Sequence, residues 1–128
     1  MSDKDTFLRS DDAIAERLCA AILGQDEGFT DALYGVETVE EPKLRELVEM
    51  ARGESAKLIK WVSAKLDART CVVAQQTRKD SSLLLELRSN DDRLFEVVVD
   101  DIYEVDGRLL TRDLLKFRPL DDEPAQEA

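Results

Sequence analysis

Side chains that can do catalytic or metal chemistry are few in this 128-residue chain. The absence of histidine excludes Ser-His triads, histidine acid–base catalysis and histidine metal sites. Two cysteines without histidine do not provide a four-ligand zinc site. The five glycines are scattered singly, so the chain lacks a glycine-rich phosphate loop. The sequence therefore predicts a protein that is not an enzyme and binds no cofactor or metal.

Acidic pairs are the remaining candidates for chemistry, at Asp91-Asp92, Asp100-Asp101 and Asp121-Asp122. Paired carboxylates can hydrolyse glycosides or bind Ca²⁺ and Mg²⁺. None of the three pairs has the loop spacing and turn glycine that a cation site needs. With 29 acidic residues in the chain, coincidental pairs are expected, and we interpret these pairs as solvated turns.

The two cysteines, Cys19 and Cys71, do not form a Cys-x-x-Cys pair. Cys19 lies in a predicted helix and Cys71 in a predicted strand. We favour two reduced, partly buried thiols in a protein made in the cytosol. The alternative is a disulfide, for example between chains, that forms after an assembled particle leaves the cell. Non-reducing electrophoresis of the assembly distinguishes these alternatives, because a monomer band alone would exclude an interchain disulfide.

The formal charge is −11, from 29 acidic and 18 basic residues. A nucleic-acid site needs a basic face, and an anionic membrane attracts basic segments, so the charge argues against both partners. No apolar run reaches membrane-spanning length, and residues 1–6 lack the apolar core of a targeting signal. The balance predicts a soluble protein that meets a basic or mixed protein partner.

Two amphipathic helices are predicted from the spacing of apolar residues. The first follows the N-cap candidate Ser10 and ends at Gly24. The second begins at Pro42 and keeps one apolar face for nearly seven turns. Trp61 flanks that face, and we favour the rim of the core over an interface anchor for it. Between the helices, Tyr34 is predicted to anchor a long connection.

Alternating apolar residues predict antiparallel strands after Arg69. Asp106-Gly107 between apolar runs predicts a two-residue hairpin. The fold class is therefore α+β, with two helices packed on a small antiparallel sheet of three to four strands. We predict a flexible leader at 1–9, the α+β domain at 10–105, a C-terminal strand or arm at 106–119 and a disordered acidic tail at 120–128.

The order of these elements resembles a known family. Residues 12–18 resemble its first helix, residues 26–28 its short loop, and residues 31–36 its Tyr-Gly element without the usual proline. Residues 67–69 (Asp-Ala-Arg) stand where the family has Glu-Pro-Arg at the end of its long helix. The chain thus resembles the phage-tail lysozyme-like family of baseplate wedge proteins, or sheath initiators, of contractile phage tails, pyocin-like particles and type VI secretion baseplates.

This resemblance implies a structural role in a virion baseplate that is assembled in the host cytoplasm. Its expected partners are the sheath protein and baseplate wedge proteins, with tube or hub proteins as further candidates. The protein would link the wedge to the first sheath ring and template sheath assembly by strand exchange. The predicted partner-binding residues are Arg69, Tyr34, Trp61, Phe95, Val97, Val99, Ile102, Tyr103, Val105, Leu109, Leu110, Leu115 and Phe117.

Two hypotheses refine this role. Residues 94–118 are expected to form the sheath-facing edge, so truncation after Asp100 should leave a folded monomer that no longer nucleates sheath. Arg69 is expected to be an ion-paired or carbonyl-bonded anchor at the helix-to-strand junction that also touches the wedge. The equally weighted alternative for Arg69 is an exposed arginine at a helix C-terminus.

Other functional classes stay open. The alternative function is that of a small acidic adaptor or inhibitor that binds one protein partner. A phosphate-mimicking inhibitor would line its acids along one face, whereas here Lys and Arg are interspersed with them. A carboxylate-pair hydrolase is the least favoured class, and a muralytic assay tests it.

Overall fold

A computed structural model describes residues 8–120 of the chain, apart from the Asp91 side chain. Residues 1–7 of the predicted leader and 121–128 of the predicted tail lie outside the described residues. The described chain is an α+β fold in which helices cover one face of an antiparallel sheet, as the sequence predicts. Its elements are α1 (Asp11–Ile22), α2 (Phe29–Tyr34), α3 (Pro42–Leu66), β1 (Cys71–Lys79), β2 (Ser82–Ser89), β3 (Leu94–Val99), β4 (Ile102–Val105), β5 (Arg108–Thr111) and β6 (Lys116–Pro119).

Helix α1 begins where the sequence places it. The Ser10 side chain accepts a hydrogen bond from the Ala13 N–H at 3.1 Å, and two aspartates occupy the first turn. Ile14, Leu18 and Ile22 recur every fourth residue and are fully buried. The helix therefore contributes one continuous apolar stripe to the core.

Helix α2 is not predicted by the sequence, which indicates a connection held against the helices by its apolar side chains. Its six residues are too few to show a helical period. The buried side chains of Phe29, Leu33 and Tyr34 hold it against the other helices. Gly35 ends it with φ +49°, and a Cβ at this glycine would lie 2.8 Å from Leu110 Cδ2. Glycine is therefore favoured at this backbone angle, and a side chain at position 35 would have to displace Leu110.

Helix α3 has Pro42 in its first turn, and the Glu41 side chain accepts from the Leu44 N–H at 2.8 Å. It buries Val48, Ile59 and Val62. Trp61 lies on another face with 59% of its surface exposed, so its predicted place at the rim of the core is wrong. The reason is geometric, because neighbouring helical residues point about 100° apart and Val62 takes the inward position.

The main sheet has the strand order β1-β2-β3-β6, and all its neighbours are antiparallel. Alternate residues of β2 and β3 are buried, with Leu85 opposite Val97 and Leu87 opposite Phe95. Strand β6 pairs with the far side of β3, placing Phe117 opposite Val97. The expected edge over residues 94–118 is thus corrected: β3 is interior, and β1 and β6 are the edge strands of this sheet among the described residues.

A separate hairpin of β4 and β5 turns at Asp106 and Gly107, both with positive φ, as the sequence predicts. Leu8 is fully buried, and its carbonyl accepts from the Leu109 N–H at 2.7 Å. The predicted flexible leader is therefore wrong at Leu8. The predicted arm at 106–119 supplies β5 and β6 and buries Leu110 and Leu115.

Candidate interaction surface

The acidic pairs serve turns wherever the structure describes them. The Asp100 carboxylate accepts from Ser82 Oγ at 2.6 Å and from Lys116 Nζ at 2.9 Å. These hydrogen bonds, that from Ser82 first, lower the pKa of Asp100. Asp92 and Asp101 have positive φ values of 56° and 53°. Within residues 8–120, no group of three or more acidic, cysteine or histidine side chains is placed to hold a metal.

Seven of the residues predicted to bind a partner are instead buried in the folded chain, which corrects that prediction for them. An apolar residue that alternates along a strand has the same pattern whether a helix of its own chain or a partner covers it. The structure assigns these side chains to the protein's own core. They are Tyr34, Phe95, Val97, Val99, Ile102, Leu110 and Leu115.

Tyr34 has the anchoring role that the sequence favours. Its hydroxyl donates to the Asp113 carbonyl at 2.5 Å and lies 2.7 Å from Ser55 Oγ. Ser55 Oγ also accepts from the Leu115 N–H at 3.2 Å. Burial raises the pKa of Tyr34 to about 12, against the opposing effect of the Ser55 hydrogen bond. The three hydrogen bonds join α2, α3 and the segment before β6.

Arg69 is a largely solvated side chain, 79% exposed, with Nη2 3.6 Å from Asp67 Oδ2. The junction between α3 and β1 is instead held by Asn90, for which the sequence predicts only a place in a turn. Asn90 Oδ1 accepts from the N–H groups of Arg69 at 2.8 Å and Thr70 at 3.2 Å, and Asn90 Nδ2 donates to the Asp67 carbonyl at 3.1 Å. Asparagine side chains in turns often form hydrogen bonds to backbone groups, and this tendency is the only sequence signal for the role of Asn90.

The remaining predicted residues are partly exposed. Tyr103, Val105 and Leu109 are half-buried on the β4–β5 hairpin. The Arg112 guanidinium lies 4.4 Å from the centre of the Tyr103 ring. The Tyr103 hydroxyl is buried and has no hydrogen-bond partner among the described residues. None of the hairpin residues lines the groove that holds Trp61.

Trp61 and Phe117 meet at a groove of about 280 Å³ between α3, the start of β3 and β6. We call it the α3–β6 groove. Its floor and walls are mostly apolar, and three cationic residues lie along it. The lining residues are Trp61, Val62, Lys65, Leu66, Arg93, Leu94, Phe95, Phe117, Arg118 and Pro119.

Charge in this groove opposes the charge of the whole protein. Lys65 Nζ lies 5.6 Å from the centre of the Trp61 ring, and Arg118 Nη2 lies 2.6 Å from Glu96 Oε1. Arg93 is an exposed cation at the same site. An exposed aromatic side chain beside basic groups matches the composition of protein-binding hot spots. Because Arg118 is already paired with Glu96, Lys65 and Arg93 are the cations that the groove offers, and they suit an extended apolar segment that carries carboxylates.

A larger cleft of about 590 Å³ lies between the end of α1, α2 and α3. Its walls include Asp26, Asp31, Arg52 and several small residues. Asp26 is paired with Arg17 at 2.6 Å and Asp31 with Arg52 at 3.0 Å. Because these carboxylates already have cationic partners, the cleft offers less chemistry to a ligand than its size indicates.

The two cysteines contact each other. The sequence favours reduced thiols, with a disulfide as the alternative. Cys71 Sγ donates to Cys19 Sγ at 3.1 Å, and both thiols are free. This hydrogen bond lowers the pKa of Cys19, while the same bond and burial raise the pKa of Cys71. The sequence could not show this contact, because the residues lie 52 positions apart.

No protein-family model, curated protein or solved structure matches the chain. In the described residues, no helix has the length and apolarity to cross a bilayer.

Proposed function

We propose that this protein is a structural component of a contractile-tail baseplate or related injection system that links the wedge to the first sheath ring. The proposal draws on the resemblance of its element order to sheath initiators. It draws next on one structural feature, which is that β6 is both an edge strand and a wall of the α3–β6 groove. We propose that an extended segment of the sheath protein binds there and templates the ring.

Edge pairing and groove packing supply different parts of this recognition. Within residues 8–120, β3 is the only strand that pairs with β6, and we propose that the other side of β6 pairs with the incoming strand. Lys116 and Pro119 discourage indiscriminate edge pairing, because lysine resists burial and proline lacks an N–H group. Backbone hydrogen bonds would therefore need support from side chains packed beside Trp61 and Phe117. Such a requirement makes the edge selective for one partner.

Trp61 gives this proposal its sharpest test. Its side chain is 59% exposed, so replacing it by alanine removes little from the core. Truncating an aromatic hot spot costs about 2 kcal/mol or more of binding, which is about 30-fold in affinity. Leu47→Ala is the matched control, because Leu47 is equally exposed on α3 but does not line the groove.

The first test is whether sheath and wedge genes lie beside the gene for this chain. Where they do, the chain is co-expressed with their products, and sheath nucleation is measured by sedimentation and electron microscopy. We expect Trp61→Ala to reduce nucleation at least 10-fold while Leu47→Ala retains it, and a 10-fold change corresponds to about 1.4 kcal/mol. Equal nucleation by the two variants, or the absence of sheath and wedge genes, would contradict the proposal. Binding to one partner without sheath growth would favour the acidic adaptor or inhibitor instead.

A further inference from the structure

Cys19 and Cys71 form a dithiol at the contact between α1 and the first residue of β1. Their sulfur atoms are 3.1 Å apart, and a disulfide requires them to be about 1 Å closer. We propose that this pair is an oxidation site that closes to an intrachain disulfide and fixes α1 to the sheet. The inference stands apart from the proposed baseplate role.

The packing around the dithiol favours closure over separation. At its N-terminal end, α1 is held to β1 by Gln76 Nε2, which donates to Asp12 Oδ1 at 2.8 Å, and by Arg78 Nη1, 2.5 Å from Asp11 Oδ1. At its other end, the cysteines make the contact. Helix α1 is thus attached to one strand at both ends, so the two sulfurs are kept near each other without a covalent bond.

Access differs between the two sulfurs. Cys19 is 7% exposed, whereas Cys71 is half-buried at the first position of an edge strand. A small oxidant therefore reaches Cys71 first. Cys19 Sγ lies 3.1 Å from Cys71 Sγ. The bond that follows oxidation of Cys71 can therefore form within the same chain. An interchain bond through Cys71 must compete with this neighbouring thiol, whose effective concentration is far higher.

The oxidant we name is a low-molecular-weight disulfide, RSSR. Access, not acidity, selects Cys71 for the first step, because its pKa is raised. Once deprotonated, Cys71 attacks one sulfur of RSSR, forming a mixed disulfide and releasing one RS⁻. The Cys19 thiolate then attacks Cys71 Sγ, forming the Cys19–Cys71 bond and releasing the second RS⁻. The two protons lost by the protein convert the released thiolates to two RSH. The protein is oxidised by two electrons and RSSR is reduced by two.

Closure would join residues 52 positions apart and restrict the unfolded chain. The oxidised protein should therefore unfold at a thermal midpoint roughly 5–15 °C above that of the reduced protein. A structural bond of this kind persists in oxidising surroundings and is absent in a reducing cytosol. The same chain would thus be assembled as a dithiol and become more stable after exposure to oxidant.

The test uses the full chain, reduced and then treated with oxidised glutathione. We expect a mass lower by two hydrogen atoms with no glutathione adduct, a monomer band without reductant, and a raised thermal midpoint. The Cys19→Ser variant should retain a glutathione adduct on Cys71, while Cys71→Ser should react several-fold more slowly. An interchain dimer, two adducts on the wild-type chain, or an unchanged mass would each overturn the proposal.

Discussion

Tyr34 and Ser55 are polar residues that connect three distant parts of the chain. Both are fully buried, and the hydrogen bonds among them, the Asp113 carbonyl and the Leu115 N–H satisfy their polar groups. A buried tyrosine loses more by ionising than an exposed one, because the phenolate would be left without water. The hydroxyl therefore contributes to stability in its neutral form only.

Alkaline pH is expected to destabilise the fold through Tyr34. Its pKa is raised from 10.0 to about 12 by burial, so this contribution is complete below pH 10 and is lost as pH rises toward 12. Over the full window it amounts to about 3 kcal/mol of unfolding free energy. Between about pH 9 and pH 11, the wild type should lose about 1.4 kcal/mol more than Tyr34→Phe, as measured by urea unfolding.

Tyr34→Phe itself should be less stable at neutral pH by about 1–2 kcal/mol, because it leaves the Asp113 carbonyl and Ser55 without this partner. Tyr103→Phe serves as a tyrosine control, since the Tyr103 hydroxyl has no hydrogen-bond partner among the described residues. Parallel pH profiles for wild type and Tyr34→Phe would show that Tyr34 does not titrate as the packing requires.

The connection between α3 and β1 depends on an element that is distant in sequence. Asn90 lies in the turn between β2 and β3, yet its amide bonds to backbone groups on both sides of the junction. Asp67 ends α3 with φ 48°, a left-handed conformation that interrupts the helix and exposes these backbone groups. The turn thus fixes the angle at which the chain leaves α3 and enters the sheet.

Asn90→Ala is expected to lower the unfolding free energy by about 1–3 kcal/mol, because it removes three hydrogen bonds at one junction. Arg69→Ala is the matched control and should change stability by less than about 0.5 kcal/mol, since its side chain is exposed. Chemical denaturation of the two variants measures the difference. A larger loss for Arg69→Ala than for Asn90→Ala would show that the arginine holds the junction.

For the whole molecule, the chain after Asp100 completes the domain. It contributes the buried side chains of Ile102, Leu110 and Leu115, and β6 covers the outer side of β3. Truncation after Asp100 would expose the interior strand β3 and remove part of the core. The expectation that such a fragment remains folded is therefore revised, and loss of sheath nucleation by that fragment would not locate a binding edge.

Leu115→Ala and Leu114→Ala test this role with neighbouring residues. Leu115 is 3% exposed, so its truncation should cost about 2–4 kcal/mol of unfolding free energy, including the cavity that it leaves. Leu114 is 46% exposed, so its truncation should lower the unfolding free energy by less than about 1 kcal/mol. Thermal and urea unfolding measure both. Similar small losses would indicate that the C-terminal segment is an independent arm.

The sequence alone was sufficient for the elements that local geometry dictates. Residue spacing and capping predict α1 and α3, alternation predicts β2 and β3, and Asp106-Gly107 predicts the β4–β5 turn. Each signal lies within a few residues along the chain, so it survives without knowledge of the rest of the fold. The α+β class follows from those elements together.

Tertiary structure alone decided which predicted surface residues are interior, where β6 pairs, and that Cys19 meets Cys71. These facts depend on contacts between residues far apart in sequence, and the same apolar pattern fits a strand covered by its own chain or by a partner. The sequence therefore determined which faces must be buried, because apolar side chains avoid water. Packing of the whole chain determined what buries them, because only the complete set of contacts fixes the lowest free energy.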